Sequence, residues 1–262
     1  MKPTDKLPVI HALWIGDKLG LIAAACLRSF VEQGHETVLH CYHPIQDIPE
    51  GVSTRDANET IPEKFIFKHK KSGSYAVFSD LFTYELLNNQ AGIYVDCDVF
   101  CIAPLTIPHH GYLLGYEDDQ QINCAVLAAP IGSDFLNALL NISRDAEFIP
   151  PWLSERKQKK LKLRKALGFS ASRDSMKWGT TGPAALTYYA KIYGIQDLAQ
   201  PVDKFYPLEC HRTKLLLDPE LSVEDIVTSR SSCIHLYNEK FKKHDISNIP
   251  PTSPLGRMLR FA

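Results

Sequence analysis

The chain has 262 residues and a formal net charge of −1 from 29 basic and 30 acidic side chains, with 45% hydrophobic and 23% charged residues. A chain of this length buries roughly three quarters of its unfolded surface, which excludes a disordered tail or a small disulfide-stapled module. Near-neutrality gives the molecule as a whole no electrostatic basis for binding nucleic acid.

In chain order, residues 8–15 (PVIHALWI) have the length and composition of a buried strand, and Leu19, Ile22, Cys26 and Phe30 follow at helical steps of three and four. Gly34 is placed to end that helix, and 36–42 (ETVLHCY) reads as a second strand. Strand, helix and strand with short connections form an N-terminal βαβ unit, which predicts an α/β fold with an open, nucleotide-binding sheet flanked by helices. From Pro44 to Lys71 the residues predict loops and small elements. Tyr75, Phe78, Phe82 and Leu86 restore helical spacing over 73–90, Gly92 ends it, and Ile93-Tyr94-Val95 run as a strand into Asp96. Strands are expected at 111–116 and 123–129, helices at 133–146 with Ser133 as cap and at 183–193 with Pro183 first, and a late strand at 233–236. No internal repeat interrupts this order, and residues 1–262 read as one domain.

The segment 151–168 stands apart, because Arg156, Lys157, Lys159, Lys160, Lys162, Arg164 and Lys165 face only Glu155 and apolar residues are too few for a core helix. It is either a solvated helix or a surface for an anionic membrane or acceptor. The seven cysteines, odd in number and without a CxxC pair, read as buried free thiols. The N-terminal residues form no signal peptide and no apolar stretch of about 20 residues. A soluble, cytoplasmic protein is therefore expected, with peripheral contact at the inner face of a membrane through 156–165.

Asp96-Cys97-Asp98 is the most informative motif. In an extended backbone residues i and i+2 share a side, so two hard oxygen donors would meet at the end of a buried strand and invite Mg²⁺ or Mn²⁺. The bland alternative has one aspartate capping a turn and the other in solvent. Phosphatases of the haloacid-dehalogenase type also place two aspartates after an apolar strand, but near the N-terminus and before a small-residue turn. Here a complete βαβ unit precedes and Val99-Phe100 follow, so the phosphatase is the runner-up reading of this pair.

Ser79-Asp80-Leu81-Phe82-Thr83-Tyr84-Glu85-Leu86-Leu87 followed by Ala91-Gly92-Ile93-Tyr94-Val95-Asp96-Cys97-Asp98 resembles the signature of the DXD-containing glycosyltransferase family 32 and its relatives among the clostridial glucosylating toxins. Trp14-Ile15-Gly16 is similar to the opening of that group, and Thr181-Gly182-Pro183 and His235-Leu236-Tyr237-Asn238 to its late elements. The resemblance implies a GT-A fold with an open mixed sheet, a nucleotide-diphosphate sugar donor such as a UDP-sugar, Mn²⁺ or Mg²⁺, and transfer with retention of configuration. The acceptor would be a saccharide or glycolipid of a bacterial envelope, lipopolysaccharide or capsule. By the same resemblance Trp14, with Ile15 and Gly16, would stack on uracil. Ser79 and Tyr94 would line the nucleotide pocket, Asp80 and Asn123 would face sugar or ribose hydroxyls, and Gly182 would contact the donor. Asp96 would contact ribose, sugar or metal, Asp98 would ligate the metal, and His235 or Asn238 would close on metal or diphosphate.

Each residue also has a plainer reading. Trp14 and His235 can be core side chains, Asp80 lies off the apolar stripe of its helix and so faces solvent or the site, and 179–183 can be an ordinary turn. Thr83 stands where the family commonly carries Arg, which removes a cation from the donor pocket and leaves the donor sugar open.

Overall fold

The computed structural model describes residues 6–169, 174, 176, 179–242, 244 and 246–262. Strands β1 (Ile10–Trp14), β2 (Thr37–Cys41), β3 (Val52–Asp56), β4 (Ile93–Val95), β6 (Leu113–Tyr116) and β7 (Ile122–Ala128) form one sheet in the order β3-β2-β1-β4-β7-β6. The first four are parallel, and β7 runs antiparallel to both β4 and β6, so the sheet is mixed. A separate antiparallel pair joins β5 (Val99–Cys101) to β8 (Cys233–His235).

Alternation along the central strands sorts the two faces. Ile10, Ala12, Ile93 and Val95 pack with Ala23, Ala24, Leu27 and Phe30 of α1 (Leu21–Glu32). Leu13 and Tyr94 join the other core with α2 (Ala76–Asn89), α3 (Asp134–Arg144) and α5 (Pro183–Ile192). Helix α1 ends as expected at Gly34, whose φ is +88°: its N–H donates to Val31 O, and His35 N–H donates to Phe30 O. The second bond requires the left-handed turn that glycine adopts without strain. Ser133 caps α3 by accepting from Leu136 N–H at 3.3 Å, and Pro183 opens α5.

Two strands are additional to the sequence expectation. β3 (VSTRD) is an edge strand with one neighbour and only Val52 half-buried, so it lacks the apolar alternation that marks a buried strand. β5 is three residues long and exists through pairing with β8, a partner far along the chain. Helix α4 (Glu155–Ala166) coincides with the basic segment and buries none of its residues, in line with its shortage of apolar side chains. All seven cysteines are free thiols. Among the described residues no helix is long and apolar enough to cross a membrane.

Candidate functional site

The carboxyl ends of the parallel strands β1 and β4 lie side by side, with Ile10 opposite Ile93, which is where open α/β sheets bind ligands. Trp14 ends β1 and Asp96 follows β4. The chain then turns instead of remaining extended: Val99 N–H donates to Asp96 O at 3.1 Å, while Asp96 N–H donates to Ala125 O of β7 at 2.9 Å. This corrects the reason for the convergence of Asp96 and Asp98. A tight turn, not strand alternation, brings the carboxylates together. The Cys97 thiol donates to Leu13 O at 3.4 Å and ties that turn to the end of β1.

His235 completes the cluster. Antiparallel pairing sets Val99 opposite His235, and Nε2 of His235 lies 3.1 Å from Asp98 Oδ1. Tyr237 takes a left-handed conformation (φ +53°), after which Asn238 N–H donates to Asp98 Oδ2 at 2.9 Å. It is thus the backbone of Asn238 that holds Asp98. One ligand atom from each of Asp96, Asp98 and His235 lies within 4.8 Å of the others. Two carboxylates and an imidazole form a donor set suited to a divalent ion, and the nitrogen favours Mn²⁺ over Mg²⁺.

Electrostatics separates the two aspartates. Burial raises the Asp96 carboxyl above its ordinary range, and the neighbouring Asp98 charge raises it further. Burial also opposes charge on Asp98, but His235 and the Asn238 N–H outweigh it and hold that carboxyl below its usual value. Burial lowers His235, and Asp98 more than compensates, so its pKa is raised. Each partner thus favours the charged form of the other, the Asp98 carboxylate and the protonated His235 ring.

Asp80 is not solvated. It is 9% exposed on α2, where it accepts from the Thr181 hydroxyl at 2.7 Å and the Cys124 thiol at 3.6 Å. Burial pushes its carboxyl up to about 7. Gly182, at the start of α5, lies so close that an added Cβ would come within 2.7 Å of Asp80 Oδ1. The Tyr84 hydroxyl donates to Thr181 O at 2.8 Å and secures the same turn.

The other expected residues fall around this group in different ways. Trp14 is half-buried, and its indole N–H donates to Lys18 O at 2.9 Å. A Cβ at Gly16 would sit 3.3 Å from that same nitrogen, so the glycine permits the turn to fold back on the indole. Ile15 packs against the α2-side core. Tyr94 is buried, with its hydroxyl 2.9 Å from Ser79 Oγ, so it supports Ser79 from below. Asn123 is buried on β7, and its side-chain oxygen accepts from Ala125 N–H at 2.8 Å. Thr83 is buried with its hydroxyl donating to Ser79 O, so the position commonly held by Arg presents no cation.

Three further neighbours escape sequence reasoning. The Tyr237 ring lies 4.1 Å from that of His235, and its hydroxyl donates to Glu117 Oε1 at 3.0 Å. Cys124 contacts Asp80. The sequence holds no local signal for Glu117 or Cys124, since each meets its partner only in the folded chain. A broad cleft of about 710 Å³ bordered by Arg28, Glu32, Glu50 and Arg260 contains none of the site residues.

No family model matches the chain. A curated protein of Legionella pneumophila, "Subversion of eukaryotic traffic protein A", is 24% identical over 215 residues, 71% of this chain and 32% of that protein. The chain thus spans about a third of that relative's length. The UDP-bound glycosyltransferase domain of the YGT toxin superposes with a TM-score of 0.50 at 11% identity, covering 75% of this chain and 79% of that domain. Its ligand-free form gives the same TM-score and identity, with 80% of the domain covered. The mixed sheet and its flanking helices are therefore those of a GT-A-like glycosyltransferase fold.

Proposed function

We propose that the chain is a metal-dependent glycosyltransferase that moves a sugar from a nucleoside diphosphate donor, UDP-linked, to a saccharide or glycolipid acceptor with retention of configuration. The observation that carries this reading is the Asp96–Asp98–His235 cluster, which follows β4 where the Cys97 thiol meets the end of β1, at the carboxyl end of a sheet of this fold. Asp96, Asp98 and His235 would hold a divalent cation, which would supply positive charge to a leaving diphosphate.

The chain's own residues then divide the work. Trp14, followed by Ile15 and Gly16, offers an indole edge and face for a base. Ser79, held by Tyr94, and the first turn of α5 at Gly182 offer polar groups to the donor. Asp80, balanced between its two protonation states near neutrality, can either accept from or donate to a sugar hydroxyl. Asn123 shares its strand with Cys124, the contact of Asp80. The Asn238 N–H fixes Asp98.

The test is a panel of nucleotide sugars with Mn²⁺, followed for UDP release and for sugar transfer. UDP and free sugar, both lost on chelation, support the reading. Inorganic phosphate with a phosphorylated Asp96 would make the protein a phosphatase, and binding without turnover would make it a nucleotide-sugar binder. The names of the Legionella protein and of the toxin domain favour a second acceptor class, a protein side chain of another cell. Labelled sugar appearing on polypeptide, and not on glycolipid, selects it.

A further inference from the structure

Helix α4 buries none of its twelve residues, yet it is not uniformly polar. At 100° per residue, Gln158, Leu161 and Lys165 fall on one side. Gln158 and Leu161 are half-buried, the Gln158 amide donates to Pro151 O and Leu153 O at 3.1 and 2.8 Å, and Lys165 pairs with Glu147 at 2.8 Å. Leu163 and Leu167 lie one turn apart on the opposite side, 62% and 64% exposed, and Phe169 just beyond them is also 64% exposed. Arg156, Lys159, Lys160 and Arg164 flank this ridge. Of the helix cations, Arg156, Lys157, Lys160, Lys162 and Arg164 form no ion pair among the described residues, and the Lys159–Glu155 pair at 3.7 Å is fully in solvent.

We propose that α4 docks the protein on an anionic membrane surface, lying in the interfacial plane with Leu163 and Leu167 inserted among the acyl chains and the flanking cations against lipid headgroups. Charge complementarity identifies the occupant: the helix sets seven cations against one carboxylate while the rest of the chain is net acidic, and so concentrated a positive field seeks an anionic surface. The leucine ridge narrows it further. A polyanion such as nucleic acid would use the cations and leave the leucines in water, whereas apolar tips between cations satisfy both layers of a bilayer interface. Twelve residues are too few to span it.

The helix is tied to the site wall. Trp152, just before it, packs against Tyr188 and Tyr189 of α5 at 5.1 and 6.4 Å, and α5 begins at Gly182 against Asp80. Docking would hold the Asp80 side of the candidate site at a defined attitude to a lipid-borne substrate. The docking itself stands whether or not the sugar-transfer reading does.

The experiment is co-sedimentation of the whole protein with vesicles of phosphatidylcholine alone and with about a quarter phosphatidylserine. Binding to the anionic vesicles only, falling as salt is raised, is expected. Exchanging Arg156, Lys160 and Arg164 for Gln should weaken it by at least roughly tenfold. Leu163→Gln with Leu167→Gln should weaken it by about tenfold with every charge retained. In a Leu163→Trp protein, anionic vesicles should shift the added indole emission to the blue and brominated lipid should quench it, both relative to the wild type. Absence of wild-type binding at low salt, binding unchanged by loss of the leucines, or an emission from the Leu163→Trp protein that vesicles leave unshifted would overturn the proposal, as would polyglutamate competing as well as the vesicles. UDP-sugar hydrolysis without vesicles, which none of these changes should alter, reports separately on the catalytic reading.

Discussion

His235 meets Asp98 across 137 positions of sequence, with Nε2 3.1 Å from Oδ1. The two meet because β5 starts immediately after Asp98 and pairs with β8, which sets Val99 opposite His235. The same junction directs the Asn238 N–H onto the other carboxylate oxygen. Asp98 is therefore the member of the cluster held ionised and oriented before any cation arrives.

Asp98→Asn should abolish donor turnover and weaken Mn²⁺ binding by at least about a hundredfold, because an amide is a neutral and poorer ligand for a hard cation. The Asn238 contact can persist to the amide oxygen, so stability should fall by only about 1–3 kcal/mol through loss of the charge-assisted bonds. Manganese titration followed by electron paramagnetic resonance, with urea melts as control, checks both. Retained metal-dependent turnover in a folded variant would remove Asp98 from the ligand set.

Trp14→Ala should weaken UDP binding by about 1–3 kcal/mol through lost stacking, by analogy with base–aromatic platforms. The preference among metal ions should be unchanged. Calorimetric titration with UDP at saturating Mn²⁺ measures this, and equal affinity in the two folded proteins would return Trp14 to a packing role.

Asp80 is expected to trade stability for function. Its unfolded carboxyl ionises near 3.8 and the buried one near 7, so in between the folded protein keeps a proton that the unfolded chain releases. The contribution of Asp80 to stability therefore declines as pH rises through this window, and its full cost is present above about 7. Asp80→Asn should raise stability at pH 8 by roughly 1–3 kcal/mol, with little gain at about pH 4, while donor turnover drops. Urea melts across pH, read as the variant minus the wild type, test it. A difference that does not vary with pH would refute the assignment.

The opposite slope comes from the sheet interior. His11 and His40 lie on neighbouring strands with ring nitrogens 3.2 Å apart, and burial lowers both, His40 to about 3. Below about 6.5 the unfolded chain takes up protons that these folded imidazoles refuse, so their contribution is lost as pH falls from about 6.5 toward 3. His40→Gln, whose amide can still meet His11, should flatten the acid limb of the stability curve by close to one proton. Acid titration of both proteins by circular dichroism reads this, and identical acid limbs would contradict it.

The features legible in the amino-acid order are local ones. Helical spacing in α1 and α2, the glycine at position 34, Ser133 and Pro183 act within a turn or two of chain, and each is found in its expected part. Asp96 and Asp98 could be singled out as a pair because they follow an apolar strand, whereas Trp14 and Asp80 became candidates through the family resemblance. Packing between distant segments supplied the remainder. Strand β5 exists only through β8, and β3 is an edge strand whose exposed side chains carry no pattern. Asp80 could be read as solvated or site-facing until α5 closed over it, because helical period gives a direction but not what lies in that direction. Glu117, Cys124 and the left-handed Tyr237 enter the site through contacts between segments distant in sequence. Contacts of that kind follow from how the sheet and helices pack, so nothing in the neighbouring residues announces them.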